Sequence, residues 1–146
     1  MGGARVDGKD HVHRETLIRR GVPLIVALLL VGCNGGTVDR QDLSKDAGTL
    51  DSIACEGALV ADGVARGRTT VFYAREQTEE LRVQTSNLAH ALATRKSIAS
   101  IEQRVRKKSR EATALAGALQ RLHDHPSDRT VGAAVKRQLE QTGSCP

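Results

Sequence analysis

Apolar residues recur at a 3–4 spacing from Leu50 onward. One heptad position carries Leu50, Gly57, Val64, Val71, Thr78, Thr85 and Leu92. Its companion carries Ile53, Val60, Gly67, Ala74, Leu81, Leu88 and Arg95. Residues so spaced share one stripe of an α-helix. Small residues and threonines dilute the stripe, which is therefore no strong coiled-coil seam. Gly57, Gly63 and Gly67 each weaken a helix by about 1 kcal/mol, so a break between 62 and 68 competes with one long helix. A second frame follows, with Ile98, Val105, Ala112 and Leu119 beside Ile101, Lys108, Leu115 and Leu122. It sits one residue out of register with the first, as a turn or discontinuity at 94–97 would produce. A continuous bent helix is the alternative there. Pro126 ends the second helical stretch. Ser127 is the expected cap of a short helix with Val131, Val135 and Leu139 on its apolar side, and Gly143 is its expected stop. No segment alternates long enough for a sheet. The expected fold class is all-α: an antiparallel helical hairpin or a small three- or four-helix bundle.

The amino-terminal third follows a different rule. Arg19-Arg20 leads into the apolar run Val22–Val31 and then Gly32-Cys33. A basic flank followed by a short apolar segment is the organisation of an export signal. Ten apolar residues make about 15 Å of helix, whereas a bilayer core needs roughly 20 residues, so a permanent span is not expected. Leu30-Val31-Gly32-Cys33 resembles the lipobox of bacterial membrane lipoprotein precursors. The resemblance covers about the first 33 residues and implies acylation of the Cys33 thiol with cleavage just before it. It departs from the pattern in the long stretch before Arg19, which carries Asp7, Asp10 and Glu15. The expected organisation is a cleaved signal at 1–32, a lipidated flexible tether at 33–47 and a helical domain at 48–146. The tether is expected because Asn34–Asp42 is polar and glycine-containing, with little apolar surface to bury. Asn34 lacks the aspartate that the lipoprotein class associates with inner-membrane retention. In a Gram-negative host the implied location is therefore the outer membrane.

With Cys33 assigned to lipid, two of the three cysteines remain, Cys55 and Cys145. Outside the cytoplasm an even pair favours a disulfide. A hairpin turning near 95 brings both to the same end. Cys55 lies opposite the apolar stripe, so the bond is expected to clip the carboxyl-terminal tail onto an outer face.

Composition narrows the function. The chain has 146 residues, 22 Lys+Arg against 17 Asp+Glu, and 1% aromatic residues. There is no room for a large enzyme core, and few of the side chains that build stacking platforms or interaction hot spots. His11 and His13 fall in the signal. His90 falls on an outer face, and His123 and His125 point in roughly opposite directions from one helix, so no metal site is expected. Carboxylates are dispersed, and no serine elbow, phosphate loop or zinc-peptidase motif occurs. No catalytic residue and no cofactor are assigned.

The most unusual local feature is the run Arg104, Arg106, Lys107, Lys108 and Arg110, five bases in seven residues. It could meet an anionic lipid or polymer. Folding the hairpin about 95–96 would instead place it near Glu79 and Glu80, where partial pairing is expected. Nucleic acid is an improbable partner for a chain held outside the cell. The resulting expectation is a noncatalytic, lipid-anchored extracytoplasmic helical protein that binds envelope or surface proteins. The alternatives are a small-ligand or metal-binding helical lipoprotein, or an assembly factor contacting anionic surfaces through Arg104–Arg110.

Overall fold

Asp39 opens the first helix. Its carboxylate accepts from the amides of Gln41 and Asp42 at 2.7 and 2.9 Å, and Asp42 accepts in return from the Asp39 amide at 3.4 Å. This reciprocal cap satisfies donors that a helix start otherwise leaves unpaired. The computed structural model describes residues 37–143 and Cys145; the expected signal and Cys33 lie outside the described residues. Helix α1 spans Arg40–Ala65. Residues 40–47, expected in the tether, therefore belong to the bundle. The correction has a packing cause: Val38 and Leu43 are buried, at 1% and 3% exposure.

α1 stops in the glycine-rich region where a break was expected. Gly67 takes φ +64°, a left-handed conformation that costs glycine little, and the amide of Arg68 closes back on the Gly63 carbonyl at 2.8 Å. Thr70 then caps α2, Val71–Thr94, by accepting from the Tyr73 amide at 3.2 Å. The chain next runs extended past Val38. The Val38 amide donates to the Lys96 carbonyl at 2.7 Å and the Ile98 amide to the Val38 carbonyl at 3.4 Å, a single parallel bridge between Val38 and Ser97. A 3-10 turn, Ala99–Ile101, leads into α3, Glu102–Asp124. Pro126 is buried in the next turn. Asp128, one residue beyond the expected Ser127, caps α4, Arg129–Thr142, and Gly143 ends it. Asp128 prevails because its carboxylate reaches the amides of both Thr130 and Val131, at 2.8 and 3.1 Å.

The four helices run up-down-up-down, with α2 against α3 and α1 against α4 as the most extensive pairings. Their facing stripes form one core that includes Leu50, Ile53, Leu81, Leu92, Leu115, Leu119, Leu122 and Leu139. The threonines of the first frame fit this core. The hydroxyls of the fully buried Thr78 and Thr85 each donate 2.7 Å to a carbonyl one turn earlier, so both buried hydroxyls are satisfied. Val71 and Ile98 leave the stripe for solvent, because one is the first residue of α2 and the other lies in the α2–α3 connection.

Candidate functional site

Cys55 on α1 and Cys145 just past α4 are bonded to each other, with their Cα atoms 5.3 Å apart. Both are half-buried, so the bond clips the tail onto an outer face as expected. Close approach of the backbone makes this position reachable. A Cβ on Gly143 would lie 2.9 Å from the Ala54 Cβ and 3.2 Å from the Asp51 carbonyl oxygen. With both thiols in the bond, neither is a nucleophile.

A shallow groove beside the disulfide is lined by Leu59, Asp62, Arg66, Lys136 and Glu140. Asp62 is its electrostatic centre. Its carboxylate receives Arg66, Arg68 and Lys136, each at 3.0 Å, and Lys136 also lies 3.6 Å from Glu140. The Lys136 hydrogen bond, foremost, holds the Asp62 carboxyl below its ordinary value, against the effect of desolvation; the Arg66 charge adds to it. The same bond raises the Lys136 ammonium. Three cations around Asp62 make its own carboxylate a weak base. The arrangement acts as a clasp between α1, the turn after it and α4. The Asp62–Arg66 spacing of four was available as a signal, whereas Lys136 is brought in by tertiary packing.

The sign of the pH effect follows. A carboxyl lowered by folding contributes stability above its ordinary value of 3.8 and loses it as the pH falls through the folded value. Asp62→Asn is therefore expected to lower the denaturant midpoint at pH 7. The gap from the unsubstituted protein should close as the pH drops below 3.8. Urea melts across that range check it; a gap independent of pH would assign the loss to packing.

The basic run lies along the first half of α3. Arg104, Arg106, Lys107 and Arg110 are exposed and Lys108 is half-buried. Their carboxylate partners are not Glu79 and Glu80. Arg106 pairs with Glu102 at 2.7 Å, and Lys108 and Lys107 reach Glu111 at 2.7 and 3.8 Å, all on the same helix. Glu79 is held by Arg82 in two bonds of 2.6 and 2.8 Å, and Glu80 accepts from Gln84 at 3.3 Å. The cause is register. The Ser109 hydroxyl donates to the Ala89 carbonyl and the His123 ring nitrogen lies against the Arg75 carbonyl, both at 3.3 Å. The intervening loop, 95–101, thus puts 104–110 opposite 88–94, a stretch with no carboxylate. Lys96, Arg104 and Arg110 have no carboxylate within ion-pair distance among the described residues.

His90 and His125 are exposed and His123 is half-buried. No group of three or more His, Cys, Asp or Glu among the described residues could hold a metal ion. No described helix is long and apolar enough to cross a membrane. The exposed apolar side chains include a contiguous set at the start of α2, Val71, Phe72 and Tyr73, which holds the chain's one Phe and one Tyr. Phe72 is 75% exposed, as is Leu59 on α1. Comparison of the chain with protein-family models, with curated proteins and with solved structures gives no match.

Proposed function

We propose that the protein is a noncatalytic helical module, anchored outside the cytoplasm by lipid on Cys33, that presents one end of its bundle to an envelope or surface protein. The observation that carries this reading is the pairing of Cys55 with Cys145. It accounts for two of three cysteines and leaves the third at the end of a basic-then-apolar run that resembles a lipoprotein signal. An intramolecular disulfide suits an oxidising compartment.

The topology supports a division of labour between the two ends. Val38 lies five residues after Cys33, at most about 18 Å of extended chain, and packs against the 96–98 segment at one end of the bundle. Val71, Phe72 and Tyr73 lie at the other end of α2, 24 residues away from Thr94 inclusive, or about 36 Å as helix. Exposed aromatic residues are the side chains that most often anchor protein interfaces. They lie at the end of α2 opposite the 96–98 segment.

The test is intact-mass analysis of the protein purified from native membranes, combined with cross-linking. The expected chain begins at Cys33 and carries acyl mass, while Cys33→Ala keeps residues 1–32 and gains none. A cross-linked partner protein should be recovered with the unsubstituted chain and lost with Phe72→Ser. That substitution should shift stability by no more than about 0.5 kcal/mol, because the side chain is exposed. A cytosolic chain retaining 1–32 without acyl mass would overturn the reading.

A further inference from the structure

Charge is distributed unevenly along the bundle axis. From Arg95 to Glu111 the chain carries seven bases and two acids, a net of five positive charges. The neighbouring start of α1, Thr37–Gly48, adds two bases and three acids, leaving this end four positive. The opposite end, formed by 62–80 and 121–130, has five bases and six acids, a net of one negative charge. The positive end is the one at which Val38 bridges to Ser97. It is therefore the end nearest to Cys33 along the chain.

We propose that this basic collar, Lys96, Arg104, Arg106, Lys107 and Arg110, seats the bundle on the anionic headgroups of the membrane that holds it. The proposal rests on the lipid-anchor reading for its location. Three features make the collar suited to a headgroup surface. Its side chains are exposed, and their few partners, the exposed Glu102 and the half-buried Glu111, lie on the same helix, where pairing with an exposed base is weak. Lys96, Arg104 and Arg110 are left without a carboxylate partner among the described residues. The residues also sit close to the end: Arg110 is eight residues beyond the start of α3 at Glu102, about 12 Å. Arg104, Arg106 and Lys107 lie within the roughly 8 Å over which the attraction decays at physiological salt, and Arg110 feels it more weakly. The short reach from Cys33 to Val38 keeps the collar near the bilayer.

The experiment uses the full chain as Cys33→Ala, so that acylation does not set the affinity, with phosphatidylglycerol-containing and pure phosphatidylcholine vesicles. Residues 1–32 are then common to every variant. Lys96→Glu/Arg104→Glu/Arg110→Glu reverses three bases without breaking an ion pair. Arg75→Glu/Arg129→Glu/Arg137→Glu makes the same change of net charge toward the other end. Each surface-proximal base contributes about fivefold to binding of an anionic leaflet, so the collar variant should bind phosphatidylglycerol vesicles about a hundredfold more weakly. The distal variant should stay within about twofold of the parent. The parent's preference for anionic vesicles should vanish near 1 M salt, where the screening length is about 3 Å. Equal losses in both variants would reduce the effect to net charge and overturn the proposal, as would no loss in the collar variant. Collar-dependent binding of soluble polyphosphate without vesicle binding would assign the surface to a polymer instead. Circular dichroism and an intact disulfide check that each variant is folded. Because Cys33 is absent, a negative result counts against the collar alone, whereas missing acyl mass in the native protein counts against the anchor.

Discussion

Cys55→Ser/Cys145→Ser is expected to lower the unfolding free energy by about 4–5 kcal/mol. The bond joins residues 90 apart, and a crosslink closing a loop of that length removes about this much chain entropy from the unfolded state. For a domain of this size the loss corresponds to a fall in melting temperature of about 15–30 °C. The effect should be unevenly distributed. α4 has 14 residues, too short to hold its own helical form in water. It is kept in place by packing against α1 and by the bond just past its end. Amides of α4 should therefore exchange with solvent before those of α2 and α3, whose long antiparallel contact does not depend on the bond. Thermal melts of oxidised and double-serine protein give the size, and hydrogen exchange gives the order. A loss below about 1 kcal/mol would mean that the reduced chain is already compact enough to replace the crosslink.

Gly132→Val should cost about 3 kcal/mol or more, and the reason is the closeness of two backbones. A Cβ at position 132 would lie 2.7 Å from the Ala65 backbone nitrogen and 3.0 Å from the Ala61 carbonyl oxygen. Neither atom belongs to a side chain that can swing aside, so α4 must move off α1, and overpacking of this kind typically costs about 1–3 kcal/mol. A branched side chain exceeds what a single methyl would demand. Two other glycines calibrate the claim. At Gly57 the atoms in the way are the Leu119 and Leu139 side-chain tips, each 2.9 Å from an added Cβ, and these can yield. Gly117, exposed in the middle of α3, has nothing within 4 Å. Gly117→Ala should stabilise the protein by about 1 kcal/mol through helix propensity alone. Chemical denaturation of Gly132→Val, Gly57→Ala and Gly117→Ala should rank them in that order, with opposite signs at the extremes.

The stripes, the glycine break, the proline stop and the disulfide were readable because each rests on local chemistry or residue parity. Leu50, Val64, Leu81, Leu115 and Leu122 are buried where their spacing puts them. The start of α1 was not read, although a signal existed. Asp39 and Asp42 form the reciprocal cap with aspartate in both places, and the polar run around them resembles a tether until Val38 and Leu43 are seen to pack. The setting of the basic run was also missed, for a reason that spacing does not carry. Moving the fold point of the hairpin by a few residues changes which side chains meet along the whole of α2 and α3, and the extended segment that sets it is held by a strand-like contact with Val38. Lys136 meets Asp62 across 74 residues, a distance at which only the finished packing decides.

The clip between Cys55 and Cys145 has a consequence for a molecule exposed to proteases. A cut in the loop at 95–101 would divide the chain into two pieces, each retaining one member of the bonded pair. The severed halves would stay covalently joined, and any lipid on the first would continue to retain the second. Damage of that kind would be invisible until a reductant separated the fragments.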